Sequence, residues 1–335
     1  MKILCFGDFL IHFSPCGHAR FMQAETMRMS FTGAEANVCA ALSFWGIDTA
    51  FVTRLPDHAL AKRALASLRA CNVDISHCAI GGSRMGIYYL ENGASLRTSS
   101  IICDSANSAF TEAQYKDFDW DAILADIDML YLSGITPALS ENLFTCAKAL
   151  FAEATHRGIT IVYDINYHPS LCSTESAAYI LQALSPHITT LIGNEEHLKM
   201  LLGIDSEFGQ NHPQERLWDI SNQVVSLLRI PQIAITVRHT YSASDAGVCA
   251  SFFDGQAFAV SPFFRVHVVD CGSSEDAFSA GLIYALHQNF DTQTSVNYAA
   301  ASNAMKHTII NDINFSTVEE IQHIMRNQSR TDVRR

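Results

Sequence analysis

Val268-Val269-Asp270-Cys271-Gly272-Ser273-Ser274-Glu275-Asp276-Ala277-Phe278-Ser279-Ala280-Gly281 sets a turn of small residues against the start of an Ala-rich helical segment. The first N–H groups of a helix lack partners within it, and the helix dipole adds positive potential there. Small residues at such a start leave room for an anion, a phosphate included. Asp276, in the first turn, is placed to take a proton from an attacking hydroxyl. The same residues also suit an ordinary capped helix in which Glu275 and Asp276 complement the dipole. The stretch alone leaves both readings open.

Upstream, short β-branched or aromatic runs alternate with longer helical segments. The predicted strands are Ile3–Phe6, Ala50–Thr53, Met129–Leu132, Ile159–Tyr163, Thr190–Ile192 and Ile233–Val237. Predicted helices cover Asn37–Trp45, Ala59–Ala70 and Ser140–His156, the last opened by a Ser cap and closed by Gly158. This βα alternation implies a mostly parallel sheet with helices on both faces, a three-layer α/β fold. Residues 13–33 and 86–102 are strand-like and break the rhythm, and together can form one small sheet set on a main domain spanning 1–325. Residues 326–335 are a polar, basic tail, expected to fray.

In such sheets ligands bind outside the C-terminal strand ends. That singles out Gly7-Asp8, Asp164-Ile165-Asn166, Asn194-Glu195-Glu196 and Arg238. Any one Asp or Asn there suits turn chemistry, whereas four such groups in register point to a ligand site. The 335 residues are 48% hydrophobic and 17% charged, so the chain is globular rather than disordered. With 22 Lys plus Arg against 34 Asp plus Glu, the formal charge of -12 disfavours a nucleic-acid partner. None of the ten cysteines forms C-x-x-C, and several sit in apolar runs such as Val38-Cys39-Ala40, which predicts reduced thiols and a cytoplasmic setting. No apolar run has spanning length, so no membrane partner is expected. There is no Walker A Gly-Lys, no G-x-G-x-x-G after the first strand, no H-E-x-x-H and no G-x-S-x-G.

The Asp270–Gly281 stretch resembles the D-T-T-G-A-G-D-A-F-x-A-G signature of ribokinase-like (PfkB) carbohydrate kinases, its two Asp residues six apart as in the family. Thr32-Gly33-Ala34-Glu35-Ala36-Asn37 is similar to the family's G-G-A-x-x-N. Tyr131–Ser140, Asp164-Ile165-Asn166-Tyr167 and Lys306-His307-Thr308-Ile309 resemble the branch that phosphorylates 2-keto-3-deoxygluconate. The resemblance implies a ribokinase-like α/β/α fold with a small β-sheet lid, ATP-dependent phosphorylation of a sugar or sugar acid, and a homodimer through the lid. Carried over by position, Gly33 and Asn37 would contact sugar hydroxyls, with Asp8 and Asn166 nearby and Asp276 as the base. Asn194, Thr236, Arg238 and the turn Gly272, Ser273, Ser274 and Glu275 would face the nucleotide and the transferring phosphate.

Several positions depart from that pattern. The family's G-A-G-D reads Ser273-Ser274-Glu275-Asp276, which puts side chains where glycines let backbone N–H groups approach the phosphate. If Glu275 faced inward, a like-charge pair 4 Å apart at an effective dielectric of about 20 would cost ~4 kcal/mol; facing solvent, it would cost little. The family's N-x-x-E reads Asn194-Glu195-Glu196-His197, so a role toward Mg would fall to Glu195 or Glu196. Two Arg positions that hold a sugar acid's carboxylate in that branch read His168 and Ile102, which leaves Arg97 as either a replacement or a solvated lid arginine. These changes favour neutral sugars more than in that branch, and raise the alternative of an impaired or inactive sugar-binding protein on the same fold.

Overall fold

Ile3–Phe6 is buried at every position because a strand lies on each side of it. The computed structural model describes residues 1–209 and 212–326. Ile3 pairs in parallel with Thr49 on one side and Met129 on the other. Beyond Met129–Ser133 follow Thr160–Asp164, Thr190–Asn194 and Gln232–Thr240, all parallel. Asp245–Phe253 then runs antiparallel, and Phe258–Val260 and Phe264–His267 pair with it to complete a nine-stranded sheet.

Side chains of the first strand alternate between two cores, as the period of two requires. Ile3 and Cys5 join the helices Ala34–Phe44, Ser274–His287 and Thr292–Lys306, while Leu4 and Phe6 join Glu141–His156, Thr174–Leu184 and Pro213–Leu228. The three-layer architecture is therefore as the alternation implies. Glu141–His156 ends where predicted: Ser140 Oγ accepts from Leu143 N at 3.2 Å, and Gly158 adopts φ 73°. The helix predicted from Asn37 starts at Ala34 instead. The last parallel strand runs to Thr240, past the expected Val237, because Asp245–Phe253 pairs with it throughout. Arg238 therefore lies inside a strand rather than after one.

The rhythm-breaking stretches form a separate four-stranded sheet in the order Met27–Thr32, Leu10–Pro15, Ile87–Glu91, Ser100–Asp104. It begins at Leu10 rather than at residue 13, leaves 16–26 outside any strand, and reaches Asp104. At the other end Arg326 closes a helix, Val318–Arg326; the rest of the expected tail lies outside the described residues. All ten cysteines are free, and no helix among the described residues is long and apolar enough to cross a membrane.

Candidate active site

Gly33 stands at the seam between the two sheets. A Cβ there would lie 2.1 Å from the carbonyl oxygen of Asp8, so only glycine lets the helix Ala34–Phe44 start against the end of the first strand. That start brings Asn37 to the turn at the head of Ser274–His287. The Asn37 Nδ2 group lies 2.9 Å from both Ser273 Oγ and Asp276 Oδ2. Ser273 takes φ 56°, a left-handed conformation that costs a side-chain-bearing residue roughly 1–2 kcal/mol. Its hydroxyl is tied down, accepting from Asn37 and donating to Asp312 Oδ1 at 3.2 Å. Asp312 Oδ2 in turn meets Nδ1 of the buried His12, on the small sheet, at 2.6 Å. Asp270 holds the turn from beneath: its carboxylate accepts from Gly272 N at 3.0 Å and Asn311 N at 3.1 Å.

Asp276 is buried, and Asn166 Nδ2 approaches its second oxygen at 3.5 Å. Burial pushes its carboxyl up to about 7, and the nearby Glu35 and Asp312 add to the rise against the hydrogen bond from Asn37 and the neighbouring Ser273 hydroxyl. Asp8 is similar: burial, with Glu35 close by, raises it to about 7. One Asp8 oxygen accepts from Phe9 N at 2.8 Å; the other is buried and unpartnered. Glu35 itself accepts from Ser133 N, Ser133 Oγ and Thr136 Oγ1 at 2.8–2.9 Å.

Asp8, Gly33, Asn37, Asn166, His168 and Asp276 line a cavity of about 350 Å³, together with Gly272, Ser273, Ser274, Glu275 and Arg238. The residues singled out in the sequence thus converge, with Arg97 an exception. Its guanidinium donates to Glu91 Oε1 at 2.9 Å and the His18 carbonyl at 2.8 Å, and it does not line the cavity. Ile102 does not line it either. The strand's alternation points Ile101 and Cys103 at the cavity, beside Tyr88 and Leu90 of the neighbouring strand.

A second groove, of about 560 Å³, opens at the ends of the Thr190–Asn194 and Gln232–Thr240 strands, lined by Asn194, Glu195, Glu196, Thr236 and Arg238. Asn194 caps the helix Glu195–Leu202, its Oδ1 accepting from His197 N at 2.7 Å, while its Nδ2 donates to Glu275 Oε1 at 3.3 Å. Arg216 pairs with Glu195 at 2.7 Å, so that carboxylate is engaged within the protein. Arg238 and Glu275 line both spaces. Glu275 is thus at the junction rather than turned to open solvent; burial drives the Asp164 carboxyl well above its usual range, and the nearby Glu275 and Asp276 add to the rise.

Sequence reasoning passed over Glu35, Asp312 and His12. Glu35 left a signal, a carboxylate on a helix face otherwise made of small and apolar residues. Asp312 and His12 left none, since a loop 36 residues past Asp276 and a strand near the N-terminus meet only in three dimensions.

A parallel sheet covered on both faces, a small second sheet, and two spaces meeting at a buried acid on a helix N-terminus together have the architecture of a small-molecule kinase. The chain belongs to the pfkB family of carbohydrate kinases, whose model matches residues 1–316. A curated relative, the 2-dehydro-3-deoxygalactonokinase of Haloferax volcanii, is 29% identical over 97% of this chain and 96% of its own length. Among solved structures, the 2-dehydro-3-deoxygluconokinase of Thermotoga maritima is 35% identical, with a TM-score of 0.94 over 97% of this chain and 98% of that one. The fructokinase of Xylella fastidiosa, solved with bound ATP, shares the fold with a TM-score of 0.77 at 20% identity, over 98% of this chain and 99% of its own.

Proposed function

We propose that this protein transfers the γ-phosphate of ATP to a hydroxyl of a sugar or sugar acid of the 2-keto-3-deoxygluconate type. The observation that carries the reading is the position of Asp276, buried at a helix N-terminus and lining a polar-ended cavity that meets a second groove. The acceptor's hydroxyls would meet the unpartnered Asp8 oxygen, Asn37 and Asn166. Asp276 would take the proton of the attacking hydroxyl, and the first N–H groups of Ser274–His287 would receive the anionic phosphoryl group. The groove at Asn194, Thr236 and Arg238 would hold the nucleotide. Mg would arrive with the nucleotide and take one or two protein oxygens. Bound there, Mg would neutralise charge on the phosphates.

The small sheet would act as a lid over the sugar. Its outer face carries an apolar row in register across all four strands, Met29, Phe13, Tyr89 and Ile102, with the Phe13 and Tyr89 rings stacked at 5.8 Å. Met29 and Ile102 are 42% and 53% exposed, which supports a homodimer formed through this face.

A second reading, sugar binding with impaired or no transfer, is favoured by Glu275 at the junction and by a side chain at Ser273. Formation of a phosphorylated sugar from ATP with a panel of sugars and sugar acids separates the two. Product would support the kinase, and tight sugar binding without product would support the second.

A further inference from the structure

Glu275 lines both spaces where they meet, beside a path from the groove toward Asp276. Among the described residues no Lys or Arg pairs with it; its hydrogen bond comes from the neutral amide of Asn194. His168 and His197 lie near it, but neither makes an ion pair with it among the described residues. Two other carboxylates of the groove have partners: Glu195 has Arg216, and Asp205 has Lys199. Arg238 lines the same junction but makes no ion pair with Glu275 among the described residues. A carboxylate left facing polyphosphate repels it, unless a divalent cation lies between the two. Mg takes one or two protein carboxylates plus phosphate oxygens in this way, at sites with no complete protein cage.

We propose that Glu275 is the residue through which this chain engages the divalent cation accompanying the nucleoside triphosphate, a step that rests on the kinase reading above. It makes Glu275 a metal ligand in the nucleotide complex instead of an obstruction. Nucleotide and metal then bind cooperatively through one side chain: the metal removes the repulsion, and the carboxylate completes the metal's oxygen set. Glu196, exposed on the same groove and without an ion pair among the described residues, is a second carboxylate there.

The test is calorimetric titration of the full-length protein with ATP in EDTA and with ATP in excess Mg²⁺, for the wild type, Glu275→Gln and Glu275→Asp. The wild type should prefer the Mg²⁺ form by about 30-fold, within the usual range of coupling between two ligands. In Glu275→Gln that preference should collapse from both ends, with the Mg²⁺ form weaker and metal-free ATP tighter. Glu275→Asp should restore part of it. If Glu275→Gln tightens both forms equally, the carboxylate merely repels phosphate and the proposal is wrong; no change in either form refutes it as well. Should Glu275→Gln not fold, Glu275→Gly carries the same expectations. Sugar phosphorylation is measured on the same samples. A Glu275-dependent metal preference without product would remove the kinase reading and leave this one standing, whereas product with no such preference would do the reverse.

Discussion

Asp276 has one carboxylate oxygen 2.9 Å from Asn37 Nδ2 and the other 3.5 Å from Asn166 Nδ2, an arrangement that orients the group without supplying a charge to hold it ionised. Burial therefore dominates and lifts it to about 7. A base acts in its ionised form, so turnover should fall as the pH drops through about 7, and Asp276→Asn should lose ~10²–10⁴ of the rate above that pH, the gap narrowing below it as the wild-type base is protonated. A pH–rate profile of both proteins checks this. The stability effect has the opposite sign from that of a salt-bridged acid. With the folded value above the unfolded one, the folded state binds the proton more tightly, so Asp276 costs stability progressively as pH rises from about 4 to about 7. Asp276→Asn should accordingly melt above wild type at pH 8 in the ligand-free protein, and a lower melting temperature there would show that the carboxylate is stabilised by something else. Gly33 offers a second test at this scale. Gly33→Ala forces a methyl group to within 2.1 Å of the Asp8 carbonyl oxygen, a backbone atom that cannot swing aside. A loss of about 1–3 kcal/mol in denaturant unfolding and weaker sugar binding are expected; wild-type values for both would mean that the seam is looser than described.

At the scale of elements, the helix Ser274–His287 matters for where its N-terminus points, and that is set by its neighbour Thr292–Lys306. Gly281 is the closest approach: a Cβ there would lie 2.9 Å from Ala299 Cα and from Ser302 Cβ. Gly281→Val should push the helices apart, cost about 1–3 kcal/mol, and lower turnover more than sugar affinity, because the displaced end carries the turn and Asp276. Steady-state kinetics read that split. Much of this arrangement was legible in the sequence. Strands with unbroken apolar character, such as Ile3–Phe6 and Met129–Ser133, announce a sheet buried on both faces, and the cap at Ser140 with Gly158 fixes a helix at both ends. The antiparallel strands from Asp245 to His267 were not legible. Asp245–Phe253 mixes small and polar residues with apolar ones, its inward positions do not alternate cleanly, and what makes it a strand is its ladder with Gln232–Thr240. The site divides in the same way: Gly33, Asn37 and Asp276 stand in recognisable local patterns, while the His12–Asp312–Ser273 chain joins three distant segments and leaves no local trace.

For the molecule as a whole, a cavity floored by one sheet and walled by another makes sugar binding depend on how the small sheet is held. If that sheet is braced by a second copy through Met29, Phe13, Tyr89 and Ile102, then Met29→Glu with Ile102→Glu should yield monomers by light scattering and weaken sugar binding without lowering the melting temperature appreciably. Dimers that survive both charges would place the interface elsewhere. The central claim is that the acid at the junction of the two spaces transfers phosphate to a sugar, and the most direct measurement follows the γ-phosphate itself. Isotopically labelled ATP and Mg²⁺ are incubated with 2-keto-3-deoxygluconate, 2-keto-3-deoxygalactonate and neutral sugars, and the label is followed into sugar phosphate for wild type and Asp276→Asn. Label should appear in a sugar phosphate with at least one acceptor and fall by ~10²-fold or more in the variant. Label that stays in ATP with every acceptor, or transfer that Asp276→Asn leaves intact, would contradict the account.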